Sequence, residues 1–228
     1  MRNRFGTDSL LVVTPCSASK IKLPVFDGAQ EELWSSVSTS QESNGAPRGI
    51  AARDMYVGRH HKSVMESVDR LRAEFCHVQI GVVIVSAGYG LLEEWDQIEH
   101  YDESFDRMTR TESIDTARRL GIRDQLAQQL DEYKYVLFLL SDKYLNAIEA
   151  PMGIAYREIY FAGKAFKSDS KGISIEPAGR EEAKYMGVAP RMAKAELFRR
   201  FTDHAQNNGL FQTLTQLAKG ELKGLGSE

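Results

Sequence analysis

The stretch Val82 to Phe105, VVIVSAGYGLLEEWDQIEHYDESF, decides the fold. Its apolar, β-branched start, Val82 to Val85, runs straight into Ser86, Ala87, Gly88, Tyr89 and Gly90. A short, unbroken apolar run of this kind predicts a strand buried on both faces, as in a parallel sheet. Ligands of such sheets bind outside the carboxyl ends of the strands. Small residues and glycines there let backbone amides approach a ligand. The chain then gathers His100, Tyr101, Asp102 and Glu103 within four positions beside that predicted crevice.

Working outward, two further runs have the same character. Leu10 to Val13 ends at Thr14-Pro15-Cys16, and Tyr135 to Leu140 ends at Ser141-Asp142. Gly172 to Ile175 is a weaker fourth candidate. Amphipathic helical patterns separate the runs. One covers Ser63 to Phe75, with Val64, Met65, Val68, Leu71 and Phe75 on one side; another covers Ser113 to Tyr133, with Ile114, Ala117, Leu120, Ile122, Leu126 and Leu130. A helix with a proline near its start is predicted for about 187–208. Strands alternating with helices predict an α/β fold with a mainly parallel sheet. The strand ends TPCSASK, SAGYG and SDKY should then converge on one site. Residues 27–50, rich in Ser, Gln, Glu, Gly and Asn, read as a long mobile insertion. The segment from Lys219 reads as a frayed end. No linker divides the chain, so 1–228 is expected to be a single domain.

The 228 residues carry a formal charge of -3, with 42% hydrophobic and 27% charged residues. This is an ordinary globular composition, and it does not indicate a strongly basic, nonspecific nucleic-acid protein. Two cysteines, Cys16 and Cys76, form no CxxC pair; this argues against a zinc knuckle or disulfide framework and suits a reducing cytoplasm. The apolar run near the N-terminus is too short for a signal h-region or a membrane span.

Each candidate residue has a chemical reason and a plainer alternative. Ser17, Ser19 and Lys20 follow the first strand and can bind a phosphate or a base edge, although GxxxxGK[ST] is absent; the alternative is an ordinary turn. Cys16 lines the same turn and would be a nucleophile only beside a base. Arg53 and Arg59 can fork onto phosphates, and Tyr56 can stack on a base; charge runs are more often solvated faces. His60 and His61, being adjacent, diverge and make a poor metal pair. Ser86, Gly88 and Tyr89 shape or line the crevice, with Tyr89 suited to stacking on a planar ligand. Asp102, then Glu103, are the candidate acids, with an exposed loop or a capping Asp102 as the alternative. Asp142 reads as the N-cap of the next helix.

Four of these segments, in order, resemble a little-characterised bacterial and phage family with the pattern CSxxK, ARDLYxG, LSAxYGL and PYDxxL. They stand here as Cys16-Ser17-Ala18-Ser19-Lys20, Ala52-Arg53-Asp54-Met55-Tyr56-Val57-Gly58, Val85-Ser86-Ala87-Gly88-Tyr89-Gly90-Leu91 and Tyr101-Asp102-Glu103-Ser104-Phe105. The plan is also similar to peroxide-stress proteins and to a domain of archaeosine synthases. Both resemble uracil-DNA glycosylases. That resemblance implies a three-layer αβα sandwich around a short, mainly parallel sheet, with a crevice for a nucleobase. The first loop here lacks the acid of the glycosylase GQDPYH-like loop, and no HPSP-like segment follows the third strand. Asp102 is then the natural acid.

The implied activity is DNA glycosylase: hydrolysis of the N-glycosidic bond of a modified base, such as a hypermodified base of phage DNA in antiviral defence. The base would be flipped into the crevice. Cys16, Ser17, Ser86, Gly88, Tyr89, Tyr56 and Tyr101 would surround it. Ser19, Lys20, Arg53 and Arg59 would hold phosphates. Asp102 or Glu103 would stabilise the sugar cation or position water. DNA is the expected partner, with RNA as an alternative; no membrane, metal, cofactor or obligatory protein partner is expected. Two other classes compete: a noncatalytic DNA- or RNA-binding stress protein, and a nucleoside or nucleotide (deoxy)ribosyl transferase or hydrolase.

Overall fold

The computed structural model describes residues 8–21, 49–222 and 225–226. The expected insertion at 27–50 lies outside them except for Gly49 and Ile50, as do residues 223–224 and 227–228 of the expected frayed end. The strands are β1 (Ser9–Pro15), β2 (Ile50–Ala51), β3 (Gln79–Ser86), β4 (Gly90–Glu93), β5 (Gln97–Ile98), β6 (Tyr135–Phe138), β7 (Arg157–Ala162) and β8 (Ile173–Pro177). Six of them form one sheet in the order β4-β3-β1-β6-β7-β8, parallel throughout except for β4. β2 and β5 make a separate antiparallel pair.

β1 is central because Leu10, Leu11, Val12 and Val13 are buried on both faces and demand cover above and below. Val12 sits between Val82 of β3 and Leu137 of β6. Each such side chain contributes roughly 1.5–3 kcal/mol by leaving water. All three leading runs are therefore strands, and the weak candidate at Gly172 to Ile175 is β8. Two strands of the six-stranded sheet escaped the pattern, as did the short pair β2 and β5. β4 turns back at Gly90, whose φ of 86° suits glycine. β7 opens with Arg157 and the fully buried Glu158, which breaks the apolar run. The Glu158 carboxylate accepts bonds from Gly153 N (3.0 Å), Ala155 N (3.1 Å) and the Tyr160 hydroxyl (2.6 Å), so its charge is satisfied inside the core.

The helices are α1 (Ala52–Met55), α2 (Arg59–Glu74), α3 (Arg110–Arg119), α4 (Ile122–Leu130), α5 (Asp142–Ala147), α6 (Arg180–Tyr185), α7 (Ala193–Asn208) and α8 (Leu210–Ala218). The single helix expected over 113–133 is two. Thr109 and Glu112 start α3 with a capping box, and Gly121, at φ 63°, breaks the path before α4. The helix expected over 187–208 is a 3-10 turn, Pro190–Met192, leading into α7. Asp142 is the first residue of α5, and Ser141 holds the cap position without a side-chain bond. The expected cap misses by one residue: Asp142 is already inside the helix, and its carboxylate lies by Gly163, whose added Cβ would be 3.2 Å from Oδ2.

From β1 the chain crosses through α2 to β3, then back through α3 and α4 to β6 on the other side of β1. Right-handed crossovers in opposite directions put these helices on opposite faces. α7 packs on α2, and α8 on β7 and β8. The result is an α/β sheet flanked by helices. Its order reverses beside β1, which is where ligands of open α/β sheets bind. Among the described residues no helix is long and apolar enough to cross a membrane.

Candidate functional site

The segments singled out in the sequence meet at the carboxyl end of β1. Cys16 N donates to Val85 O (2.9 Å), and Leu139 N to Val13 O (2.9 Å), so both neighbouring strand ends are tied to the first loop. That loop then lies along the end of α1. Lys20 bridges Tyr56, Ile21 N reaches Met55 O (2.9 Å), and Val57 N reaches Ser19 O (2.9 Å). At the start of α2, an added Cβ on Gly58 would stand 2.1 Å from Ser17 Oγ. Only glycine admits this approach of the loop to the helix.

Tyr101 is the hub of the neighbouring wall. Its hydroxyl is 2.6 Å from the Tyr56 hydroxyl and 2.7 Å from Ser86 Oγ. Ser86 Oγ also accepts from Gly88 N (3.2 Å) and Tyr89 N (3.1 Å), closing the glycine turn. Gly88 is required because a Cβ there would be 2.5 Å from the Tyr101 ring. Tyr89 stands edge-on to that ring at 5.1 Å and is exposed. Burial pushes both the Tyr56 and Tyr101 phenols up, with nearby Cys16 adding to each, so both stay protonated. These positions sort the expected base-binding residues. Tyr89 keeps an accessible ring. Tyr56 is 1% exposed and has no free face for stacking. Ser86 is spent on the turn and on Tyr101.

A cavity of about 660 Å³ opens beside the hub, within the usual range for small-molecule sites. Cys16, Ser17, Leu139 and Tyr144 form its strand-end wall; Arg59, His60, Arg191 and Lys194 come from helix starts. Cys16 Sγ lies 3.2 Å from the Tyr144 hydroxyl, the setting of a packed thiol rather than one activated by a base. Burial raises the Tyr144 phenol as well. Two polar atoms at the cavity have no partner among the described residues: His60 Nε2 and Ser141 Oγ. Burial holds His60 down to about 4, so its ring is neutral near pH 7. Sequence reasoning missed Ser141, Tyr144, Arg191 and Lys194 as a group. The SDKY strand end signalled the first two; nothing local signalled Arg191 or Lys194, which the return of α7 onto α2 delivers.

The acids and bases divide differently from expectation. Asp102 and Glu103 are exposed and are not among the cavity lining; Asp106, three residues on, is. Ser104, rather than Asp102, caps the turn Phe105–Arg107 by accepting from Asp106 N (3.3 Å). Lys20 is buried with Nζ 4.0 Å above the Tyr101 ring and 3.5 Å from Glu103 O. Burial lowers its ammonium from the usual lysine range, partly countered by Cys16 and Asp102. Arg59 lines the cavity and Ser19 is exposed at its edge. Arg53 does not reach it. Its guanidinium is taken up by Asp69 (2.7 Å) and Glu94 (3.0 Å) and lies over Trp95 at 4.6 Å, so the expected phosphate role gives way to a structural one. Among the described residues no three His, Cys, Asp or Glu side chains are grouped to hold a metal.

A family model described as a family of unknown function (DUF6884) matches residues 36–165. No curated protein and no solved structure matches the chain.

Proposed function

The chain belongs to the DUF6884 family, and from that premise we propose that it is a DNA glycosylase that hydrolyses the N-glycosidic bond of a modified nucleobase, on a uracil-DNA glycosylase-like αβα sandwich. The observation that carries the reading is the cavity itself. It sits at the point where the sheet order reverses, it is large enough for a flipped nucleotide, and its lining includes a carboxylate residue, Asp106.

In this reading the base enters against the strand-end wall, where the amides of Ser17 and Ala18 meet its edge. Tyr89 stacks at the neighbouring rim. Asp106 is the carboxylate that faces the ligand and stabilises the oxocarbenium-like sugar or positions water. Asp102 and Glu103 hold Lys20 and the rim rather than the reacting atoms. The departing base carries negative charge, which the amides of Ser17 and Ala18 offset. Arg59, Arg191 and Lys194 around one opening favour a polyanionic substrate over a free nucleoside. No step calls for a metal or an organic cofactor.

The test is incubation of the purified chain with phage DNAs carrying different base modifications, and with unmodified DNA, followed by abasic-site detection and mass analysis of released bases. Release of one modified base is the expected result. Asp106→Asn should slow it by about 10² or more, while Asp102→Asn should cost less. The reverse order would return the catalytic role to Asp102. A second reading, a noncatalytic DNA-binding protein, is favoured by the exposure of Asp102 and Glu103 outside the cavity. It predicts that DNA is retained and no base is released.

A further inference from the structure

The helix-start wall of the cavity has chemistry that a nucleobase does not need. α2 runs for 16 residues from Arg59 to Glu74, and no side chain among the described residues caps it. Lys62 N is the first donor of the helix to find a backbone acceptor, Gly58 O at 3.0 Å. The N–H groups of Arg59, His60 and His61 are therefore the unsatisfied donors that every helix start presents. By itself this is an ordinary helix end. Here two residues of the cavity lining, from different elements, each carry a buried polar atom without a partner among the described residues: His60 Nε2 on α2, and Ser141 Oγ in the loop after β6. Lys194, in the first turn of α7, brings a half-buried side chain to this wall. Its only hydrogen bond is a long one to Ala178 O, 3.4 Å, among the described residues. Burial lowers that ammonium, partly countered by Asp142 and Glu182. Arg59 and Arg191 add two guanidinium groups to the same wall, against Asp106 in the lining and Asp142 and Glu182 near Lys194.

Free donors at a helix start and three cationic side chains around one cavity call for an anion with several oxygens. We propose that this end of the cavity is a phosphoryl-binding subsite, in which Arg59, Lys194 and the free N–H groups at the start of α2 take the oxygens, with the unpartnered polar atoms of Ser141 and His60 behind them. The occupant, a phosphate flanking the flipped base, rests on the function proposed above; the subsite itself does not.

The experiment is calorimetric titration of the full chain with four probes. These are inorganic phosphate, deoxycytidine 5′-monophosphate, unphosphorylated deoxycytidine and a short single-stranded oligodeoxynucleotide. Phosphate-bearing probes should bind at least about tenfold more tightly than the nucleoside, the worth of hydrogen bonds to a charged group. Arg59→Gln and Lys194→Gln should each weaken them by about tenfold and leave the nucleoside unchanged. Arg59 is exposed, so its replacement preserves the fold if burial of Lys194 makes the second variant unstable. Binding of the oligonucleotide alone assigns the phosphate to a nucleic-acid backbone, and binding of the mononucleotide as well assigns it to a free nucleotide; both uphold the subsite. Equal affinity for nucleoside and nucleotide, unchanged phosphate affinity in both variants, or no binding of any phosphate-bearing probe at millimolar concentration overturns it. Phosphate discrimination without base release from modified DNA overturns the glycosylase and leaves the subsite standing.

Discussion

At the scale of single residues, the site is built on two glycines whose absent side chains are occupied by neighbours. Gly88 yields its space to a Tyr101 ring that Tyr56 and Ser86 hold by its hydroxyl, at 2.6 and 2.7 Å. The ring cannot step aside without breaking those bonds. Gly88→Ala should therefore cost about 1–3 kcal/mol, as overpacking does. Urea unfolding measures it, and an unchanged midpoint would show that Tyr101 is not fixed. The sequence marked Gly88 for unusual dihedrals or close approach, and close approach is the reason. It could not mark the depth of Tyr56 or the triple use of the Ser86 hydroxyl, because both depend on where Tyr101 lands. Asp102 drew attention through its motif, yet the chain turns once more before a carboxylate reaches the cavity, at Asp106.

At the scale of elements, Glu94 ties the segment after β4 to two helices. Its carboxylate is buried and is held by Arg53 at 3.0 Å and by Arg72, which also donates to Ile80 O at 2.7 and 3.1 Å. Removing one member of a buried ion pair strands the others, so Glu94→Ala should destabilise by about 3–5 kcal/mol. Thermal and denaturant unfolding would check this. A loss below about 1 kcal/mol would mean that desolvation of the three charges cancels their attraction. The same group keeps Arg53 away from the cavity. In sequence it stands in a basic run and resembles a phosphate clamp, and its two carboxylate partners lie far along the chain. The buried strands were legible wherever an apolar run stayed unbroken, as in β1, β3 and β6. β7 was not, because Glu158 belongs to a local hydrogen-bonded cradle that single-residue hydropathy counts as exposed.

At the scale of the whole molecule, His60 and His61 link the cavity wall to global stability. Burial holds both rings near 4, against 6.5 for a free imidazole. The unfolded chain takes up protons first as pH falls, so the neutral rings' contribution is complete above about 6.5 and is lost progressively as pH falls from there to about 4. Glu176 works in the opposite sense, since burial pushes its carboxyl up to about 7 and its contribution is lost as pH rises. The clean measurement is thus a difference. Between pH 7.5 and 5.5, His60→Gln/His61→Gln should gain on the native chain by about 1 kcal/mol per ring. Parallel pH profiles for the two proteins would mean that the rings protonate in place.

The α/β class and the convergence of strand ends were readable from local patterns, whereas the helix-start wall of the cavity was not, because only the closing of α7 on α2 brings Lys194 to it. The same topology governs how the molecule is made. β1 waits with both edges unpaired, since Ser9 needs Gln79 and Leu10 needs Tyr135. At about 5–20 residues per second of translation, that wait is on the order of ten seconds. An apolar strand so long without neighbours is a natural client for a ribosome-associated chaperone, and slower growth or an added holdase should raise the soluble yield of the nascent protein.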